Sequence, residues 1–230
     1  PVICVGNVVL GGAGKTPTVQ AIVRFLQKQG ATPHILLRGY GRQSSDTLRV
    51  DKNRHTYQDV GDEALILAQD APTWVGADRV KTARLAQAAG ADCLVLDDGL
   101  QNPTLHHDYR LLVIDRDYGV GNGYLFPAGP LRQHLGQALK SVHAVILTGG
   151  GSGDTKESVT RPGGQKSSSD LMTCLSSLPH TSLMWDYTLG GEVVHNLHGP
   201  SIVAFAGIGR PDKFFNTILD LGGWLVETHP

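Results

Sequence analysis

The run Val9-Leu10-Gly11-Gly12-Ala13-Gly14-Lys15-Thr16 limits the possible folds of this chain more than any other segment. Closely spaced glycines let successive backbone N–H groups turn inward around phosphate oxygens, and a helix starting at the end of such a run directs its positive end at them. A lysine there reaches the β- and γ-phosphates, and the following hydroxyl serves Mg²⁺. The arrangement needs an apolar strand before it and an amphipathic helix after it. Both are legible: Val2 to Val5 reads as a short buried strand, and Val19, Ile22, Val23 and Leu26 repeat at i, i+3, i+4, i+7 over a helix from about Thr16 to Gln29. Gly30 is a stop signal for that helix. Val9 stands where the general pattern has its first glycine.

Further along, strand-like and helix-like segments alternate. His34 to Leu37, Trp74-Val75, Cys93 to Leu96, Arg110 to Ile114 and Val142 to Leu147 read as strands, and residues 43 to 58 as polar and irregular. One helix starts near Gly61 or Asp62 with Leu65, Ile66 and Ala68 on its inner side; another runs from an Asp78 cap to Ala89. Such alternation implies α/β architecture, a P-loop NTPase-type parallel sheet with flanking helices. Ligands of these sheets bind at the carboxyl ends of the strands, where Gly11 to Thr16, Arg38 to Arg42, Asp97-Asp98 and Asp115 all fall. Residues 1–148 read as the core, and residues 149–170 as a Gly/Ser-rich linker or flexible loop. Residues 171–230 read as the start of a smaller, truncated C-terminal α/β region, with strands at Ser182 to Tyr187 and Ile202 to Ala206 and a helix from Pro211 through Leu221. No internal repeat or coiled-coil heptad is present. The chain opens on Pro1 directly into a strand and closes at Val226 to Pro230 without a clear final element, so both ends read as cut.

Composition narrows the function. A net charge of -1 makes no electrostatic case for nucleic acid. No apolar run reaches the ~18 residues of a membrane span. Cys4, Cys93 and Cys174 are too widely spaced for a metal motif and read as small buried hydrophobes. His106-His107 are sequence neighbours whose side chains diverge on any regular element.

The remaining candidates are charged residues near element ends. Leu94-Val95-Leu96-Asp97-Asp98 is an apolar strand ending in carboxylates, the usual partner of a phosphate loop, where an Asp holds Mg²⁺ directly or through water. Adjacent strand residues face opposite ways, so one of the two serves the ion from the strand, and the pattern leaves open which. Asp62-Glu63 suits a helix N-terminus through the dipole, and also suits the carboxylate a kinase needs beside its acceptor hydroxyl. Arg38, Arg42, Arg79, Arg116, Arg132 and Arg210 sit near predicted element ends; each taken singly reads as a solvated surface charge.

Taken in order, Val5-Gly6-Asn7, Gly11 to Pro17, Arg38-Gly39-Tyr40-Gly41, Val60-Gly61-Asp62-Glu63, Ala77-Asp78-Arg79, Asp97-Asp98-Gly99-Leu100-Gln101 and Pro127 to Arg132 resemble the tetraacyldisaccharide 4'-kinase (lipid A 4'-kinase) family, from Pro1 to about Lys140 and again at Phe205 to Pro211. The family's loop often carries Ser or Thr at the position of Val9. The resemblance implies transfer of the ATP γ-phosphate to the 4'-hydroxyl of tetraacyldisaccharide 1-phosphate, forming lipid IVA in lipid A biosynthesis, by an enzyme peripheral to the cytoplasmic face of the bacterial inner membrane. It implies ATP and Mg²⁺ as cofactors and no protein partner. Carried over, Val9 to Thr16 bind the nucleotide and Lys15 is catalytic. Thr16, Glu63, Asp97 and Asp98 serve the metal, and Asp62 is the base. Arg38, Tyr40 and Arg132 contact substrate or phosphate.

Two departures stand out. Asn102 occupies a position where the family commonly has His. The family's C-terminal Asp-His-His segment would lie beyond His229-Pro230, and the family's usual apolar N-terminal helix would precede Pro1, so residues 1–230 alone are expected to bind nucleotide with weak or no turnover. Two other readings compete: an ATPase switch acting on protein partners, and a soluble small-molecule kinase. A guanine-specific GTPase is disfavoured, because Leu147 leads into Thr148-Gly149-Gly150 and not an Asn-Lys-x-Asp segment.

Overall fold

A computed structural model of the chain describes residues 1–43, 46–116, 118–148, 180–183, 187–189, 192–194, 201–205, 215–216, 218–219, 222 and 224–229. In chain order the main elements are β1 (Val2–Gly6), α1 (Lys15–Lys28), β2 (Pro33–Leu37), β3 (Leu48–Arg49), α2 (Tyr57–Val60), α3 (Asp62–Leu67), β4 (Thr73–Val75), α4 (Arg79–Ala88), β5 (Cys93–Asp97), β6 (Tyr109–Asp115), α5 (Leu135–Ser141), β7 (Ala144–Thr148) and β8 (His180–Leu183). The strands form one sheet in the order β3-β4-β2-β5-β1-β6-β7-β8. Every pairing is parallel except β3 with β4 at the edge.

The continuous apolar runs of the central strands follow from burial on both faces. Val5, Ile35, Leu37 and Val95 join Val19 and Val23 of α1 in one core cluster. The alternate residues Cys4, Leu36, Leu94 and Leu96 join Trp74 and the α4 residues Ala83 and Ala86 in another. Burial pushes the Cys4 thiol up to about 12, which makes it a packing group and not a nucleophile. The helix ends match their signals. Asp78 caps α4 by accepting from the Lys81 N–H, and Gly30 adopts a left-handed φ of 84° beyond α1.

Several expectations need correction. On α3, Ile66 is 47% exposed, and the inner face is Ala64 and Leu67, with Leu65 packed beside them; the helix is too short for its phase to be read from apolar residues alone. Residues 43–58 are not uniformly irregular: they hold β3 and the start of α2, whose Thr56–Asp59 capping box satisfies its first turn. Helix α5 was not expected. The C-terminal strand predicted from Ser182 begins earlier, at His180, and pairs with β7. Beyond it lie the antiparallel pair β9 (Tyr187–Leu189) and β10 (Glu192–Val194), and the parallel pair β11 (Ser201–Phe205) and β12 (Trp224–His229). Val226 to His229, expected to hold no clear element, lie in strand β12. Residues 215–216 and 218–219 are helical within the expected 211–221 helix. The 149–170 segment, Cys174 and Gly207 to Arg210 lie outside the described residues. Among the described residues, no helix is long and apolar enough to cross a membrane.

Candidate active site

Strand β1 lies at the centre of the sheet, so the loop leaving it emerges between β5 and β6. Gly11 and Gly14 take positive φ values of 101° and 84°, which side chains rarely allow, and Gly14 caps α1. A Cβ on Gly14 would also meet Thr148 Cγ2 at 3.0 Å. The loop is braced from both flanks. Thr148, at the end of β7, donates its hydroxyl to Ala13 O at 2.8 Å. Opposite, Val9 pairs with Leu131 in an antiparallel bridge, Leu10 N donates to Pro130 O at 2.8 Å and Arg132 N donates to Val8 O at 2.8 Å. Val9 is buried in this pairing, which accounts for an apolar residue where a more open loop has glycine.

The β1–β5 register aligns Val5 with Asp97 and brings the carboxylates to the loop. Thr16 Oγ1 donates to Asp97 Oδ2 at 3.5 Å. Asp97 is 3% exposed, and its Oδ1 is buried with no hydrogen-bond partner. Burial, reinforced by Glu63 and then Asp98 and opposed by Lys15, pushes its carboxyl up to about 7. Glu63 reaches solvent but is crowded by protein atoms. Desolvation raises it above the ordinary carboxylate range, Lys15 pulls it back, and Asp62 and Asp98 raise it further. Asp98 takes a left-handed φ of 56° and accepts from Arg132 Nη1 through both oxygens, at 2.8 and 2.9 Å. Lys15 Nζ lies 4.0 Å from Asp98 Oδ1 and donates to Asn7 Oδ1 at 3.3 Å.

Lys15, Thr16, Glu63, Asp97, Asp98 and Arg132 thus converge on one end of β1 and β5. Asp62 opens α3 next to Glu63 and accepts from the Glu63 N–H at 2.9 Å. Arg38 and Tyr40 sit on the loop after β2, at the same sheet edge. Arg38 is exposed and Tyr40 is 91% exposed, and no described hydrogen bond ties either to the phosphate loop. Gly61, before Asp62, packs against this loop, with a built Cβ 3.1 Å from Tyr40 O.

Among the described residues Arg42, Arg79 and Arg132 depart from the surface-charge reading, Arg42 by donating from Nη1 to Asp46 O at 2.6 Å with its Nη2 buried. Arg132 pairs with Asp98. Arg79 is 2% exposed, with Nη1 donating to Gly76 O at 3.1 Å and Nε unpartnered. Burial and the nearby Arg38 charge lower its pKa, while Asp98 holds it up. Sequence reasoning assigned no role to Asn7, Gln101 or Thr148. The first two lie inside quoted motifs, and Thr148 carried no signal beyond following an apolar strand.

The tetraacyldisaccharide-1-P 4'-kinase family model matches residues 1–230, the whole chain. The chain belongs to the tetraacyldisaccharide-1-P 4'-kinase family. It is 46% identical over 232 residues to the tetraacyldisaccharide 4'-kinase of Gluconobacter oxydans, covering 100% of this chain and 65% of that relative. It is 44% identical over 229 residues to the enzyme of the same name from Parvibaculum lavamentivorans, covering 99% of this chain and 62% of that one. This chain therefore spans somewhat under two thirds of the length of these relatives. The fold matches the crystal structure of LpxK from Aquifex aeolicus, solved in complex with ATP, at a TM-score of 0.74 and 26% identity, covering 99% of this chain and 70% of that one. The P-loop kinase sheet and its flanking helices are thus those of the family.

Proposed function

We propose that this chain carries the donor site of a kinase that moves the γ-phosphate of ATP to the 4'-hydroxyl of tetraacyldisaccharide 1-phosphate, forming lipid IVA in lipid A biosynthesis. The observation that carries the reading is the meeting of the Lys15-Thr16 loop end with buried Asp97, in a chain matched to this family along its whole length. In this reading the loop N–H groups from Val9 to Thr16 cradle the phosphates, and Lys15 neutralises charge on the phosphoryl group in flight. Asp62 takes the proton of the 4'-hydroxyl as the new O–P bond forms and the bond to the β-phosphate oxygen breaks, leaving ADP. Arg38, Tyr40 and Arg132 contact the acceptor or the phosphates, Arg132 by exchanging Asp98 for phosphate.

The donor set fits Mg²⁺. This ion is bound through one or two carboxylates plus phosphates and water, so a closed protein cage is unnecessary. Among the described residues no three-ligand His/Cys/Asp/Glu cage exists, and the unpartnered Asp97 Oδ1 beside the Thr16 hydroxyl is the kind of open position such an ion takes. Thr16 and Asp97 would hold it, with Glu63 and Asp98 in support. When bound, the ion would offset the charge of the β- and γ-phosphates.

In the same reading the acceptor is lipid, the protein works at the cytoplasmic face of the inner membrane, and no nucleic acid or protein partner is required. Residues 1–148 form the kinase core, β8 extends its sheet, and the strand pairs β9–β10 and β11–β12 belong to a smaller region. The test is transfer of ³²P from ATP to the disaccharide lipid by the full-length protein. Labelled lipid IVA is expected; ATP hydrolysis that ignores the lipid would refute the assignment.

Proton release at Asp97 makes metal use pH-dependent. A carboxyl raised to about 7 must lose its proton before it ligates. The Mg²⁺ concentration for half-maximal activity is expected to fall about tenfold from pH 6 to pH 8 and to level off above. A flat profile would contradict the Asp97 assignment. Without metal the sign reverses for stability. The raised pKa favours the folded state below the unfolded value of about 3.9, and that contribution is lost as pH rises through about 7.

A further inference from the structure

We propose that Asn7 is a positioning residue that holds Lys15 and the phosphate loop in register before nucleotide arrives. The inference rests on reading the loop as a nucleotide donor site and is independent of the acceptor's identity. Asn7 directly follows β1 and is 0% exposed. A carboxamide that deeply buried is costly unless both of its ends are used. Both are used here, and both within the loop. Nδ2 donates to Gly11 O at 3.2 Å, and Oδ1 accepts from Lys15 Nζ at 3.3 Å. The Asn7 backbone oxygen accepts from Gln101 Nε2 at 3.0 Å. Gln101 Oε1 accepts from Arg132 Nη1 at 3.5 Å, Arg132 donates to Asp98, and Asp98 lies 4.0 Å from Lys15. The contacts close a ring through Lys15, Asn7, Gln101, Arg132 and Asp98.

An amide suits this position for two reasons. A donor-site lysine has to be aimed at the phosphates and then released to them. A neutral oxygen at 3.3 Å holds the ammonium loosely, whereas a carboxylate would make a stronger charge-assisted bond that phosphate must displace. The other end of the amide ties down the Gly11 carbonyl, whose oxygen would repel an anion if it swung into the loop. Neither Ser nor Asp performs both tasks. Ser is too short to span both partners, and a carboxylate cannot donate to Gly11 O.

The test compares the full-length parent with Asn7→Ser, Asn7→Asp, Lys15→Ala and the Asn7→Ser/Lys15→Ala double variant. A fluorescent ATP analogue reads affinity, and thermal melting reads folding. Asn7→Ser and Asn7→Asp are each expected to weaken nucleotide binding by about 10- to 100-fold, the scale of losing hydrogen bonds at a charged group. Asn7→Ser should add less on top of Lys15→Ala than it costs alone, because the part of its loss that runs through Lys15 is already gone and only the Gly11 tie remains to lose. If Asn7→Ser does not fold, the nearly isosteric Asn7→Asp carries the measurement. Parent-like affinity in the Asn7 variants, with or without a lowered melting temperature, would overturn the proposal, as would full additivity in the double variant. Parent-like binding by Lys15→Ala would overturn the donor-site reading together with it. Lipid transfer is not part of the readout, so an error in the acceptor assignment would leave this result standing.

Discussion

Lys15→Ala is expected to lower phosphoryl transfer by roughly 10³-fold or more, the scale on which a cation at the transferred phosphoryl group acts. The Lys15 side chain is only 12% exposed and lies between Asn7 and Asp98, so bulk water or a mobile cation is a poor substitute. Its loss also acts on its neighbours. Lys15 opposes the upward shift of both Glu63 and Asp97, and without it three carboxylates face one another with less positive charge among them. Both groups should then hold their protons to higher pH, and the Mg²⁺ requirement should rise. The decisive measurement is the initial rate of ³²P transfer at saturating ATP and Mg²⁺. A rate within tenfold of the parent would remove Lys15 from the chemistry.

Asp62→Asn should lower kcat by about 10² to 10⁴, the range for loss of a general base. Asparagine keeps the size of the side chain and an oxygen able to accept from the Glu63 N–H, but it cannot take a proton. ATP affinity should be unchanged, because no described contact links Asp62 to a residue of the phosphate loop. The split between the two readouts separates a base from a residue that merely supports α3. Normal turnover by Asp62→Asn would assign the proton to another group.

The parts of this site that were legible in the sequence are the local ones. A strand, a glycine turn and an amphipathic helix are each encoded within a few residues, so Val2–Gly6, the loop and Lys15–Lys28 lie where periodicity and turn chemistry place them. Asp97 was legible for a similar reason: an apolar run has to end at the carboxyl edge of a sheet that it fills. The site's non-local pairings were not legible. Nothing near Arg132 announces Asp98, and nothing near Thr148 announces Ala13, because each pairing depends on strand order, which periodicity does not encode. For the same reason Arg79 read as a surface charge, although it is buried and feels the charges of Arg38 and Asp98. The error at Ile66 has a different origin. A helix of six residues is less than two turns long, and its inner face is set by the sheet beneath it.

The two braces of the phosphate loop bear on how the protein is made. Ala13 receives its hydrogen bond from a residue 135 positions downstream, and Val9 pairs with Leu131. Contacts of such long sequence separation are paid for in loop-closure entropy before they give anything back. During synthesis the glycine loop is translated before either of its braces: the Pro130 to Arg132 segment follows it first, and Thr148 of β7 later still. A nascent chain halted before Thr148 would therefore present the phosphate-binding sequence with only one of its two braces.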